Sequence, residues 1–154
     1  GKPAYMTDIL RARLIRAFAA AGLDAARHVM FVPRMGAEDY RRLVARMHVH
    51  ADSIGWNGGN TSLQAVAAHV PLVTLPGEFM RGRHTLAMFR MMGFEETVAT
   101  SAGDYVAKLV SLARDADHRH HVAQSYAARR QALYGDASVS AALDRFLKTQ
   151  KTRG

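Results

Sequence analysis

The sequence predicts an α/β fold in which helical crossovers connect the strands of a parallel sheet. Two observations carry this prediction. Short apolar runs, each the length of a buried strand, alternate along the chain with longer amphipathic segments. Glycine or proline follows most of these segments and marks where they end. A chain of 154 residues also has the size of one domain.

Four short apolar segments have the character of strands. They are His28–Val32, which Pro33 closes, and His48–Ser53, Pro71–Leu75 and Glu96–Ala99. Amphipathic segments around them are predicted as helices. These run over Tyr5–Ala21, from Glu38 to Met47, from Asn60 or Thr61 towards Pro71, over Arg83–Met92, and over Tyr105–Lys148 with one break near Gly135. The last residues, Thr149–Gly154, are expected to be frayed.

Residues at the ends of the helices support these boundaries. Gly22 follows the first amphipathic segment and supplies a C-terminal stop. Asn60 or Thr61 is expected to cap the third helix. Ser101, with Asp104 three residues later, resembles a capping box at the start of the long helical region.

Composition restricts the class of protein. Hydrophobic residues make up 49% of the chain and charged residues 22%, as in a globular protein with an ordinary core. No apolar run reaches the roughly 20 residues of a membrane helix, so no membrane association is expected. Cysteine is absent, which excludes disulfides and thiolate metal sites and is compatible with a reducing cytoplasm.

The net charge of +8 and the isoelectric point near 10.4 indicate an anionic partner. Nucleic acid, an acidic membrane surface and a nucleotide diphosphate all satisfy that description. The arginines are spread along the chain, which favours a solvated surface over a nucleic-acid interface. His118, His120 and His121 do not predict a metal site, because their spacing distributes them around a helix.

The loop after the second predicted strand carries the main site prediction. Gly55, Gly58 and Gly59 permit close approach to the backbone. Asn60 and Thr61 then place amide and hydroxyl donors beside the unpaired N–H groups of a helix start, where a phosphate is attracted. The residues alone leave two alternatives open: a phosphate site, or a tight turn that binds nothing.

Neighbouring residues extend this candidate site. Gln64 lies one helical turn beyond Asn60, where it suits either a ribose hydroxyl or solvent. The loop Pro33–Ala37 can present backbone groups to a base, and Tyr40 can stack on that base or pack in the core. A third loop, Pro76–His84, carries two arginines and a histidine. No catalytic triad or carboxylate pair stands out, so the catalytic residues stay unknown.

Three stretches of the sequence resemble a known family. They are Asp52-Ser-Ile-Gly-Trp-Asn-Gly-Gly-Asn-Thr-Ser-Leu-Gln-Ala65, Pro71-Leu-Val-Thr-Leu-Pro-Gly-Glu-Phe-Met-Arg-Gly-Arg-His84, and Met91-Met-Gly-Phe94 followed by Glu96-Thr-Val-Ala99. Together they resemble the carboxyl-terminal half of bacterial O-linked N-acetylglucosamine transferases, the SPINDLY-like members of glycosyltransferase family 41. The resemblance extends from Tyr5 to about Leu147.

This resemblance implies the donor-binding half of a GT-B fold, with a Rossmann-like domain over residues 1–134 and a C-terminal helix and tail over 135–154. It implies transfer of N-acetylglucosamine from UDP to Ser or Thr hydroxyls of an acceptor protein, without a metal or other cofactor. By the same resemblance, Gly58, Gly59, Asn60 and Thr61 hold the diphosphate. The remaining contacts are Gln64 at the ribose, the backbone of Met35 at the uracil, and Tyr40 near the base.

The sequence departs from the family pattern at three positions. Gln64 replaces the usual carboxylate at the ribose, Tyr40 replaces a histidine at the base, and Ala37 replaces a lysine beside it. The resemblance also places the first strand of the domain, a lysine that neutralises the diphosphate, a second Rossmann-like domain and tetratricopeptide repeats upstream of residue 1. We therefore expect a part of a longer cytoplasmic enzyme that is inactive alone. The alternative is a truncated, non-catalytic module that binds nucleotides or nucleic acid through its basic surface.

Overall fold

A computed structural model describes residues 2–151, with side chains described for residues 6–149. The chain divides into two compact units, one ending at Met35 and the other beginning at Gly36. Each unit has its own internal packing. The predicted division between residues 134 and 135 stays a prediction.

The first unit consists of a long helix and the segment that follows it. Helix α1 spans Lys2–Ala20, in agreement with the predicted helix. Gly22 ends it with a φ of +71°, and the amide of Leu23 donates back to the carbonyl of Phe18. Phe18 then stacks on His28, with 5.7 Å between the ring centroids.

The predicted strand His28–Val32 is wrong. No strand forms there, and no other described segment pairs with it. Met30 is 84% exposed and Val32 is 46% exposed, whereas a buried strand would cover both. An apolar run becomes a strand only when a neighbouring strand accepts its backbone hydrogen bonds.

The second unit contains the parallel sheet. Strand β1 spans His50–Ala51 and strand β2 spans Leu72–Val73; they pair in parallel, with His50 opposite Leu72. A parallel bridge between Thr74 and Val98 extends the pairing. Along the chain, a helix separates the two segments of each of these parallel pairs, as parallel pairing requires. The predicted α/β class is confirmed, but the strands are shorter than predicted, and Glu96–Ala99 contributes only this bridge.

Six helices of the second unit lie within the described part of the chain. They are α2 (Ala37–Val44), α3 (Asn60–Ala67), α4 (His84–Met91), α5 (Ala102–Arg114), α6 (Ala116–Arg129) and α7 (Ser138–Lys151). The predicted break near Gly135 is confirmed. Asp115 adds a break that was not predicted, since its side chain accepts from the amide of His118 and starts α6. The predicted frayed end is helical as far as Lys151, and residues 152–154 lie outside the described residues.

The predicted cap at Ser101 is confirmed. Its hydroxyl accepts from the amide of Asp104, 3.1 Å away. The returning contact differs from a capping box, because the Asp104 carboxylate accepts from the amide of Thr100 at 2.9 Å.

An aromatic cluster forms the centre of the core. The rings of Phe89, Phe94 and Tyr126 pack at centroid distances of 5.1–5.7 Å. Tyr126 is fully buried, and its hydroxyl lies 3.1 Å from the backbone nitrogen of Leu72 and 3.3 Å from the carbonyl oxygen of the same residue. Helix α6 is thereby bonded to β2, and burial raises the pKa of Tyr126 well above its ordinary value.

We predict that Tyr126→Phe destabilises the fold and changes its response to alkali. Leu72 loses the partner of its buried amide, which costs about 1–3 kcal/mol of unfolding free energy near neutral pH. Because the pKa of Tyr126 is raised in the folded state, its contribution to the free energy of unfolding is fully present below about pH 10. That contribution is lost as the pH rises beyond this value.

Above about pH 10, the stability of the variant should therefore fall less steeply with pH than that of the unsubstituted chain. The two slopes should differ by up to roughly 1.4 kcal/mol per pH unit. Urea unfolding followed by circular dichroism from neutral pH to pH 11 measures both effects. If the free energy of unfolding fell equally steeply with pH in both chains above about pH 10, the buried state of this phenol would be contradicted.

Candidate nucleotide-binding loop

The loop that joins β1 to α3 begins at a buried carboxylate. Asp52 is 2% exposed, and one of its oxygens accepts from the amide of Gly58 at 2.8 Å. The other oxygen accepts from the hydroxyl of Thr74, also at 2.8 Å. The backbone carbonyl of Asp52 accepts from the phenol of Tyr105 at 2.7 Å. One residue thus links the loop to the segment that directly follows β2 and to α5.

Gly58 is held on both sides. Its amide donates to Asp52, and its carbonyl accepts from the hydroxyl of Ser62 at 3.0 Å. The hydroxyl of Ser62 also lies 2.9 Å from that of Thr85, and both side chains are fully buried. The hydroxyl of Ser62 therefore connects the start of α3 both to Gly58 and to the start of α4.

The N-cap of helix α3 lies earlier in the chain than predicted. The N-cap is Gly59, whose lack of a side chain leaves the first turn without a side-chain acceptor, so the expected cap by Asn60 or Thr61 is wrong. Within residues 2–151, no acceptor is bonded to the amides of Asn60, Thr61 or Ser62. Three unpaired donors at the positive end of a helix dipole attract an anion.

A second loop lies against the first. The amide of Asn57 donates to the carbonyl of Arg81 at 2.8 Å, which joins the two predicted loops. The guanidinium of Arg83 donates to the carbonyl of Gly77 at 2.9 Å, and that of Arg81 lies over the ring of Phe79. These arginines contribute positive charge to the edge of the site, although one guanidinium is engaged with the backbone.

The other predicted residues are placed as follows. Gln64 lines a shallow cavity of about 270 Å³ between α2 and α3, with Arg41 and Ala45 on the opposite side. Tyr40 is half-buried and packs against the core, and its contact with a base stays a prediction. Met35 belongs to the first unit and the loop to the second, and the contact of Met35 with the uracil stays a prediction.

The histidines of α6 divide between two surroundings. His118 and His121 approach the two oxygens of Glu96, at 2.9 and 3.3 Å, while His120 contacts Gln124. Sequence reasoning did not anticipate a carboxylate at this position. Among the described residues, no group of three or more side chains is arranged to hold a metal ion.

The residues that hold the loop in place were not predicted from the sequence. Asp52 stands at the head of the predicted motif, and an acidic residue between an apolar strand and a glycine-rich loop was an available signal. Thr74 and Tyr105 gave no local signal, because they meet Asp52 across 22 and 53 positions of sequence.

The segment that contains both loops matches a known family. Residues 10–138 match the model of Glycosyl transferase family 41. The chain belongs to glycosyl transferase family 41.

Individual relatives of the family 41 chain include two named UDP-N-acetylglucosamine–peptide N-acetylglucosaminyltransferases. The protein from Caenorhabditis elegans is 31% identical over 97 residues, which is 63% of this chain. The protein from Giardia intestinalis is 28% identical over 127 residues, or 82% of this chain. The chain spans 8% of the length of each of these relatives.

Solved structures extend the similarity to three dimensions. A Thermobaculum terrenum O-GlcNAc transferase mutant superposes with a TM-score of 0.76 and 27% identity, over 90% of this chain and 27% of that one. This match confirms the predicted relation of the α/β domain to the GT-B fold. None of the described helices of the family 41 chain is long and apolar enough to cross a membrane.

We predict that Gly58→Ala destabilises the loop. A Cβ atom at residue 58 would overlap the hydroxyl of Thr61 and lie 2.6 Å from that of Ser62, which is already engaged by two partners. Relief of such crowding costs about 1–3 kcal/mol. Thermal unfolding should show a lower Tm for the variant.

Gly103→Ala is the matched control. The nearest atom to its Cβ would be 3.8 Å away, in the first turn of α5, so the same chemical change should be neutral or slightly stabilising. Equal Tm values for the two alanine variants would contradict the crowding at Gly58.

Proposed function

We propose that this chain binds the UDP-N-acetylglucosamine donor of a protein O-linked N-acetylglucosamine transferase. The observation that carries the proposal is the turn from Gly58 into α3, where the unpaired amides of Asn60, Thr61 and Ser62 stand at a helix start. Such a start suits a diphosphate, because dipole and donors act on the same anion. Membership of family 41 supports a glycosyl transfer reaction.

The proposed contacts follow the family resemblance. Asn60 and Thr61 hold the diphosphate, while Gln64, one turn further along α3, reaches the ribose. The half-buried position of Tyr40 allows contact with the base only at its exposed edge. The backbone of Met35 completes the uracil contact in this proposal.

Glycosyl transfer requires stabilisation of the departing UDP and of an oxocarbenium-like sugar. The proposal includes no metal cofactor, so donors at the helix start and basic side chains take up the negative charge of the leaving diphosphate. Arg81 and Arg83 stand at the edge of the site and add positive charge. No described side chain is assigned the proton transfer from the acceptor.

The proposed enzyme is longer than this chain. The relatives from Caenorhabditis elegans and Giardia intestinalis support this, since the chain corresponds to 8% of each. We propose a bacterial, cytoplasmic, SPINDLY-like protein with a second Rossmann-like domain and tetratricopeptide repeats upstream. That domain would position the protein acceptor and the sugar, so this chain alone should bind the donor without transferring it.

We predict measurable binding of UDP to the chain by isothermal titration calorimetry. Asn60→Ala and Thr61→Val each remove a donor at the diphosphate and should weaken UDP binding about tenfold. Gln124→Ala, on α6 and outside both loops, is the control and should bind UDP as the unsubstituted chain does. Absence of binding heat at millimolar UDP would falsify the proposed donor site.

A second candidate function is nucleic-acid binding, which the net charge of +8 favours. Affinity for nucleic acid falls steeply with salt, because binding releases counterions from the phosphates. Titrations with a short duplex and with single-stranded RNA at two salt concentrations distinguish the candidates. Weak, strongly salt-dependent binding of nucleic acid, together with binding of UDP, supports the donor site. Tight binding of nucleic acid without binding of UDP supports the second candidate.

A further inference from the structure

The buried carboxylate of Asp52 is not among the groups assigned to the donor. Asp52 has three hydrogen-bond partners, two at the carboxylate and one at the backbone carbonyl, and they differ in where they lie. Thr74 directly follows β2 and Tyr105 lies in α5, so two of the contacts fix Asp52 to the core. The third partner, the amide of Gly58, belongs to the loop. The carboxylate therefore fixes the position of the loop relative to the core.

The bond to Gly58 controls the direction in which the chain enters α3. With the amide of Gly58 bonded to Asp52 and its carbonyl bonded to Ser62, the peptide groups on both sides of this residue are held. The Gly59 N-cap follows directly, and the unpaired amides come after it. Their orientation depends on the orientation of the Gly58 peptide, because successive amides share the same backbone.

We propose that Asp52 is a positioning residue that orients the Gly58–Gly59 turn so that the first-turn amides of α3 face the donor diphosphate. This inference rests on the proposed donor function. A carboxylate suits the task because it offers two acceptor oxygens, one for the core hydroxyl and one for the loop amide. A buried carboxylate is also strongly held, since it loses water that only its protein partners replace.

A second anchor allows the role of Asp52 to be separated from the integrity of the loop. Asn57 donates from its amide to Arg81 and from its side chain to the carbonyl of Ser53, at 2.8 and 3.0 Å. Loss of the Asp52 carboxylate therefore leaves the loop attached to its neighbour. The expected defect is a misdirected helix start rather than an unfolded loop.

The test compares UDP with uridine, which lacks the diphosphate, by calorimetry on the full chain. Asp52→Ser keeps a polar group but is too short to reach Gly58, and should weaken UDP binding about tenfold or more while changing uridine binding less than about twofold. Thr97→Val is the matched control. It removes a buried hydroxyl that donates to the carbonyl of Leu72 rather than to Asp52. It should lower the Tm and leave both affinities within about twofold.

Asp52→Asn keeps the side-chain volume and one acceptor oxygen, so its UDP affinity should lie between those of Asp52→Ser and the unsubstituted chain. If Asp52→Ser does not unfold cooperatively, Asp52→Asn carries the test against Thr97→Val, and it should bind UDP, but not uridine, more weakly than that control.

Two results would overturn the inference on Asp52 alone: UDP affinity unchanged in the Asp52 variants, or equal losses for UDP and uridine, which indicate a purely structural role. Both presuppose that the unsubstituted chain binds UDP. If the unsubstituted chain itself does not bind UDP, the proposed function fails and the role of Asp52 falls with it.

Discussion

The carboxyl group of Asp52 is buried directly after β1, and three protein donors bond to this residue in place of water. Asp52 accepts from the amide of Gly58 and the hydroxyls of Thr74 and Tyr105 at 2.7–2.8 Å. Burial of an unpaired polar group costs several kcal/mol, so none of these partners is lost without a penalty. Loop, sheet and α5 are consequently held to one point, and the geometry of the helix start follows from it.

The part of the site that the sequence predicts is the part made by consecutive residues. Gly58 to Thr61 is recognisable because glycines and polar donors precede an amphipathic helix, and membership of family 41 gives that pattern a chemical context. The supporting contacts are invisible in the sequence, because Thr74 and Tyr105 reach Asp52 only after the sheet and α5 are in place. The cap of α3 was misassigned for a related reason, since glycine serves there without a side-chain bond.

The fold shows the same distinction between local and distant determinants. The limits of several helices could be predicted closely, because signals such as Gly22 and Ser101 act within one turn, whereas the break at Asp115 was not predicted. Strands depend on partners elsewhere in the chain. His28–Val32 has the composition of a strand and no partner among the described residues, and Glu96–Ala99 forms a single bridge. Composition therefore identified the class of fold correctly and overestimated the extent of its sheet.

Ser62 and Thr85 share one interior hydrogen bond across 23 positions of sequence, and each restricts the replacements open to the other. An apolar residue in place of Ser62 alone would leave the hydroxyl of Thr85 enclosed without its partner. Exchange of both for apolar residues of similar shape avoids that penalty, although it also removes the donor to the carbonyl of Gly58. The two positions are therefore expected to diverge jointly among family members, as a covarying pair that links the starts of α3 and α4.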